Sequence, residues 1–330
     1  MDALENTRRR CVLKAIASAA GMMAMGPAWS QAYPSKPIRF IVSGAPGGGT
    51  DAVTRIVANG IGEAKQWQMV VENMPGAGGN IGMRQVATAA QDGYTIGMGE
   101  TSNLIINPFL YSKLPFSIEN DLAPVGLVAK VPLVLVVGAG TPYRSLDLLL
   151  DAAKQKTLFF ASAGSGSVGH LTGELWKREV GINATHVPYK SAAPAMADVA
   201  GGQVDFFFAS VSSGLPLIQA GRARPLAVAS KSRLSLLPDV PTFGELGRKD
   251  MEAEVIYGVV APNGTPKAVI NALNAGLNDY LSTAAAHQAL TNLGADTAAI
   301  GGSVADFEGL LRAERGRWSE VVKASGARVD

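Results

Sequence analysis

The chain has 330 residues, 47% of them hydrophobic and 17% charged, with 38 glycines and a formal net charge of +2. That supplies one large or two ordinary domains with a sizeable core and excludes a disordered chain. The near balance of 29 basic against 27 acidic residues leaves no basic domain for nucleic acid.

Residues 1–32 read as an export signal. Arg8-Arg9-Arg10 form a basic head, residues 15–25 a short apolar run, and Ser30-Gln31-Ala32 a small-residue cleavage site ending at Ala32. The run is too short to span a bilayer. Arg9-Arg10-Cys11-Val12-Leu13-Lys14 is close to a twin-arginine signal, with Val where that motif prefers Phe, so twin-arginine and general secretion both stay open. Cleavage removes Arg8, Arg9, Arg10 and Lys14 against Asp2 and Glu5, which leaves a neutral mature chain. It also removes Cys11, the only cysteine, which follows arginines rather than a lipobox sequence. The mature product is expected to be soluble, held by its core without disulfides.

Ile38–Val42 is predicted as a strand that enters Ser43-Gly44-Ala45-Pro46-Gly47-Gly48-Gly49-Thr50-Asp51 and then a helix with Val53, Ile56, Val57 and Ile61 on one face. Residues 69–72 and 94–98 are further strands, separated by the Pro75-Gly76-Ala77-Gly78-Gly79-Asn80 loop and a helix. Strand–helix alternation predicts a parallel sheet covered on both faces. Residues 125–128 and 133–137 read as two apolar strands separated by Pro132, and a helix starts from residues 141–145. The opening pattern then returns as a strand at 158–161, a Gly/Ser loop at 162–169, a helix from His170, and strands at 184–188 and 204–208. Residues 226–229 and 255–260 are the last strands. Beyond them the chain is mostly helical, with Phe307, Leu310, Leu311, Trp318, Val321 and Val322 on one apolar face that packs back on the first lobe. Two similar α/β lobes result, one from residues 33–131 and 255–330, the other from 132–254.

The glycine loop at 44–51 has two readings. A strand–loop–helix junction aims unpaired N–H groups and the positive helix end at one spot, which suits an anion. It is equally a tight turn with Thr50 or Asp51 capping the helix. No Lys follows Gly49, so it is not a P-loop. Gly164-Ser165-Gly166-Ser167-Val168-Gly169 spells G-x-G-x-x-G, but the next strand runs into Thr185-His186-Val187-Pro188-Tyr189-Lys190 without the acid that a dinucleotide ribose needs. Its hydroxyls and N–H groups suit a carboxylate better.

Catalytic patterns are scarce. His170, His186 and His287 belong to no metal-ligand spacing, and no serine sits in G-x-S-x-G. His186 reads as a core residue and His287 as surface, while His170 is open between ligand donor and cap. Glu72, Asp92 and Asp205 stand at element ends, where caps and turns explain them. Trp176 and Trp318 read as core. Desolvating a carboxylate costs several kcal/mol and each hydrogen bond to it returns about 1.5–3. One loop therefore breaks even, and two loops closing on one molecule reach the about −8 kcal/mol of micromolar binding.

These residues, in order, resemble the Bug (Bordetella uptake gene) or TctC-type substrate-binding proteins of tripartite tricarboxylate transporters over residues 33–325. The matching stretches include Gly47-Gly48-Gly49-Thr50-Asp51, Val70-Val71-Glu72-Asn73-Met74-Pro75-Gly76-Ala77-Gly78-Gly79-Asn80, Gly164-Ser165-Gly166-Ser167 with His170-Leu171, His186-Val187-Pro188-Tyr189-Lys190, and Leu237-Pro238-Asp239-Val240-Pro241-Thr242. The resemblance implies a type II periplasmic-binding-protein fold, two α/β lobes with a ligand cleft between them. It further implies a non-enzymatic, monomeric receptor in the periplasm. Such a receptor delivers a small organic carboxylate to the permease subunits of a tripartite transporter, with no cofactor, metal or nucleic acid. Carried onto this chain, the ligand-binding residues are Gly47, Gly48, Gly49, Thr50 and Asp51 in the first loop and Ser162, Ser165, Gly166, Ser167 and His170 around the second. Thr101, Ser102, Asn103 and Asp205 would line the cleft. Ser43-Gly44 stands where the family usually has Pro-Phe, which enlarges the cleft or removes a stacking surface. A sensor with an inner-membrane signalling partner, or a nucleotide-dependent enzyme, are the alternatives.

Overall fold

Strand β1 (Ile38–Val42) is apolar except at Arg39, and four of its five residues are buried, as a central strand covered on both faces requires. The computed structural model that contains it describes residues 33–248, 251–296 and 300–329; the expected export signal lies outside the described residues. β1 sits between β2 (Met69–Asn73) and β3 (Thr95–Glu100), parallel to both. The arrangement recurs after a long strand, β4 (Leu122–Gly138). There β5 (Leu158–Ser162) sits between β6 (Ala184–Pro188) and β7 (Phe206–Ser210), again parallel to both. β8 (Ala223–Val228) and β9 (Glu254–Pro262) complete a sheet of order β2-β1-β3-β9-β4-β7-β5-β6, with β8 also on β4. The loops leaving the carboxyl ends of β1 and β5 therefore open where the chain order reverses, the position at which open α/β sheets hold ligands.

The sheet is mixed, where strand–helix alternation predicts a parallel one. β9 runs antiparallel to β3 and β4, and β4 antiparallel to β7 and β8. Pro132 also fails to divide two strands. β4 passes through it, pairing with β9 up to Pro132 opposite Glu254, and with β7 from Leu133 opposite Ser210. A proline has no N–H to give a ladder, and here it falls where the pairing partner changes. β4 thereby joins the two groups of strands, and Lys36–Asp330 forms one compact unit.

The Gly49–Lys65 helix buries Val53, Val57 and Ile61. In the second group of strands Trp176 meets Phe206 and Phe208 edge-on at 5.2 and 5.6 Å, and Phe160 stacks on Phe206 at 5.5 Å. The Val304–Ser325 helix buries Phe307, Leu311, Trp318 and Val322, with the Phe307 ring filling the space over Gly258 of β9. Both tryptophans expected in the core are there. No helix among the described residues is long and apolar enough to cross a membrane.

Candidate ligand-binding cleft

The loop after β1 enters the Gly49–Lys65 helix through Gly48, an N-cap with no side-chain hydrogen bond. The first-turn N–H groups thus keep their donors free of intrahelical carbonyls, at the positive end of the helix dipole. Asp51 holds the loop from behind. It is buried; its Oδ2 accepts from the Gly47 N–H at 2.9 Å, and its Oδ1 accepts from Arg55 Nε and Asn73 Nδ2, each at 2.9 Å. Asn73 also donates to the Gly44 carbonyl at 3.1 Å. Burial pushes the Asp51 carboxyl up, and the hydrogen bonds from Arg55, Gly47 and Asn73 outweigh it and hold it below its ordinary value. Ser43 ties the loop to β3 by donating to the Met98 carbonyl at 3.0 Å and accepting from Asn103 Nδ2 at 3.0 Å. Gly44 lies against the Thr50 side chain, which fills the space a larger residue would take.

The loop after β5 ends at Ser167, whose hydroxyl caps the Val168–Val180 helix by accepting from the His170 N–H at 3.3 Å. The Gly166 N–H donates to His170 Nδ1 at 3.0 Å. Ser162 Oγ lies 2.6 Å from His186 Nε2 and accepts from the Gly164 N–H at 3.1 Å. The His170 and His186 rings stack at 3.8 Å, so both imidazoles brace this loop rather than project from it. Gly166 has φ +82°, a region open to glycine and disfavoured for other residues, and a Cβ there would run into Leu110. Gly166→Ala is expected to cost about 1–3 kcal/mol, read as a lowered melting temperature.

Both loops line one cavity of about 460 Å3, a volume suited to a small molecule. Gly48, Gly49 and Thr50 line it from the first loop, Ser165, Gly166 and Ser167 from the second, and Ser102 from the turn after β3. The other residues predicted for the site stand behind or away from that lining. Gly47, Asp51, Ser162 and His170 hold the two loops in the ways just described. Thr101 is fully buried and accepts from the Ile256 N–H at 2.7 Å, and Asn103 accepts from the Glu100 N–H at 3.0 Å. Asp205 lies outside the cavity lining; it accepts from the Tyr143 hydroxyl at 2.7 Å, Lys156 Nζ at 3.1 Å and the Phe159 N–H at 2.8 Å, an anchor for β5.

The cavity also has walls that sequence reading missed. Pro75, Gly76, Ala77, Gly78 and Gly79 form one of them. Glu100, Tyr257 and Lys190 line it as well. The glycine-rich wording of residues 75–80 was the available signal for the first. Glu100 and Tyr257 meet only through the β3–β9 pairing, and no local pattern announces it. Among the described residues no cluster of His, Cys, Asp or Glu has the makings of a metal site.

A profile for the tripartite tricarboxylate transporter family receptor matches residues 53–327. The chain is 34% identical over 326 residues to Protein BugT of Bordetella pertussis, covering 98% of this chain and 99% of that one. An R. palustris protein solved with adipate superposes with a TM-score of 0.86 at 33% identity, covering 90% of this chain and 100% of its own. MatC from Rhodopseudomonas palustris, solved with bound malate, superposes at 0.80 with 29% identity, covering 88% of this chain and 100% of its own. With two glycine-rich helix starts on one cavity and a match along nearly its whole length, the chain belongs to the Bug/TctC family of tripartite tricarboxylate transporter receptors.

Proposed function

We propose that this protein is exported to the periplasm, captures a small organic carboxylate in the cavity, and hands it to the membrane subunits of a tripartite transporter, acting as a monomer and without chemistry of its own. The observation that carries the reading is the pair of glycine-rich helix starts, one after β1 and one after β5, on the same cavity. Gly48, Gly49 and Thr50 would hold one side of the carboxylate group, with Ser165, Gly166 and Ser167 on the other and Ser102 beside them. Gly47, Asp51, Thr101, Asn103, Ser162 and His170 would position these groups. Charge-assisted bonds from N–H and hydroxyl donors on both sides offset the cost of desolvating the anion. The change of partner along β4 at Pro132 supports lobes of residues 33–131 with 255–330, and 132–254, that close around the ligand. Relatives solved with adipate and malate support a carboxylate as the ligand class.

Calorimetry against a panel of carboxylates and their amides tests the reading. Saturable binding is expected with acids and not with amides; silence from the whole panel, with folded protein, overturns it. Ser167→Trp is expected to remove acid binding. The lost cap should cost about 1 kcal/mol, so the variant stays folded.

A further inference from the structure

The charged groups on the cavity wall are unevenly matched. Glu100 ends β3 opposite Tyr257 of β9. Its Oε2 accepts from Thr50 Oγ1 at 2.8 Å, and its Oε1 has no hydrogen-bond partner among the described residues. The Tyr257 hydroxyl is engaged with Ser212, whose own Oγ lies 3.1 Å from Ser210 Oγ. No lysine or arginine among the described residues pairs with Glu100. The other charged residue on the wall, Lys190, is solvent-exposed. Burial pushes the Glu100 carboxyl above its ordinary range, with a smaller opposing effect from the Thr50 hydroxyl.

A half-buried acid, bonded at one oxygen and without a paired cation, leaves its other oxygen open to a second donor. Glu100 opens on the ligand cavity, so that donor can come with the ligand. We propose that Glu100 selects the ligand, and that the ligand is a small carboxylate which also carries a cationic amino nitrogen. The two loops take the carboxylate and Glu100 takes the ammonium. This assignment rests on the carboxylate reading of the loops. It also balances charge: a zwitterion brings a cation to a wall that has none beside its half-buried acid. A plain dicarboxylate would instead place a second anion in the same enclosure. The docked pair is a carboxylate–ammonium contact, and no covalent bond changes.

Calorimetry with two matched pairs tests this: glutarate against glutamate, and adipate against 6-aminohexanoate. In the wild-type protein the amino member of each pair is expected to bind at least about tenfold tighter, the scale of one charge-assisted contact. The isosteric E100Q should narrow the preference to within about threefold. Should E100Q not fold, the wild-type preference decides alone. Tighter or equal binding of glutarate and adipate overturns the Glu100 assignment and leaves the carboxylate loops standing. Silence from all four compounds in folded wild-type protein overturns both.

Discussion

Replacing Asp51 by alanine is expected to unlatch the first glycine loop, lowering stability by about 3 kcal/mol and ligand affinity by at least about tenfold. The side chain is 6% exposed and accepts from Gly47, Arg55 and Asn73. Truncation removes two part-buried hydrogen bonds to the carboxylate, from the Gly47 N–H and the Asn73 amide, each worth about 1.5 kcal/mol at the low end for a charged acceptor, while the Asn73 amide keeps the Gly44 carbonyl. Arg55 contributes less, because its side chain is 50% exposed and water replaces the carboxylate there. Affinity falls because the N–H groups of the first helical turn are aimed by the loop that Asp51 anchors. Asp51→Asn keeps one acceptor and the shape, and should fall between wild type and alanine. The sign with pH follows from the direction of the shift. Held below its ordinary value, the Asp51 carboxyl contributes stability above the unfolded-state value of about 4 and loses it as pH falls through the native one. Urea unfolding of the three proteins at neutral pH measures the series. Equal midpoints for wild type and Asp51→Ala would mean the network does not hold the loop.

The two loops were legible in the sequence because each is local: a strand, a run of small residues and an amphipathic helix in one continuous stretch, Ile38 to Lys65 and Leu158 to Val180. The duplicated order of β2-β1-β3 and β6-β5-β7 follows from the same local pattern repeated. What stayed hidden depends on long-range pairing. Pro132 reads as a break because a central ladder excludes proline, yet β4 changes partner at that residue and continues. The antiparallel placement of β9 brings Tyr257 opposite Glu100 across nearly half the chain, and neither residue carries a local mark of the cavity. Asp205 shows the opposite error. Its place at an element end read as a cap or turn and the family resemblance put it on the cleft, whereas the fold commits it to Tyr143, Lys156 and the Phe159 N–H. Ser43 is similar in kind: the family's Pro-Phe position is occupied by a hydroxyl that joins the first loop to Met98 and Asn103, so the change alters how the loop is anchored as well as the room it leaves.

Acid should destabilise the fold well before the carboxylates are fully titrated, and the stacked histidines of the second loop set the window. Burial, then the neighbouring His170 and Lys177, lower His186 to about 3, and burial is the main cause that lowers His170. Because Gly166 donates to His170 Nδ1, that nitrogen must be unprotonated in the native protein. With the rings 3.8 Å apart, charging one also opposes charging the other. In the unfolded chain both histidines titrate near their ordinary value of about 6.5. Above that pH they contribute no difference. As pH falls from 6.5 toward 3, the unfolded state takes up a proton at His186 that the native state refuses, and stability is lost at up to about 1.4 kcal/mol per pH unit, with His170 adding in the same direction. His186→Gln keeps a hydrogen-bonding group beside Ser162 and cannot take the proton. Comparing unfolding free energies at pH 7 and 4.5, wild type is expected to lose about 2 kcal/mol more than the variant, less than the full linkage because His186 is partly exposed. Parallel curves for the two proteins over that range would exclude His186 as the source. While the protein stays folded, His170 Nδ1 keeps accepting from the Gly166 N–H across that interval, so the loop that Gly166 shapes should keep its place on the cavity.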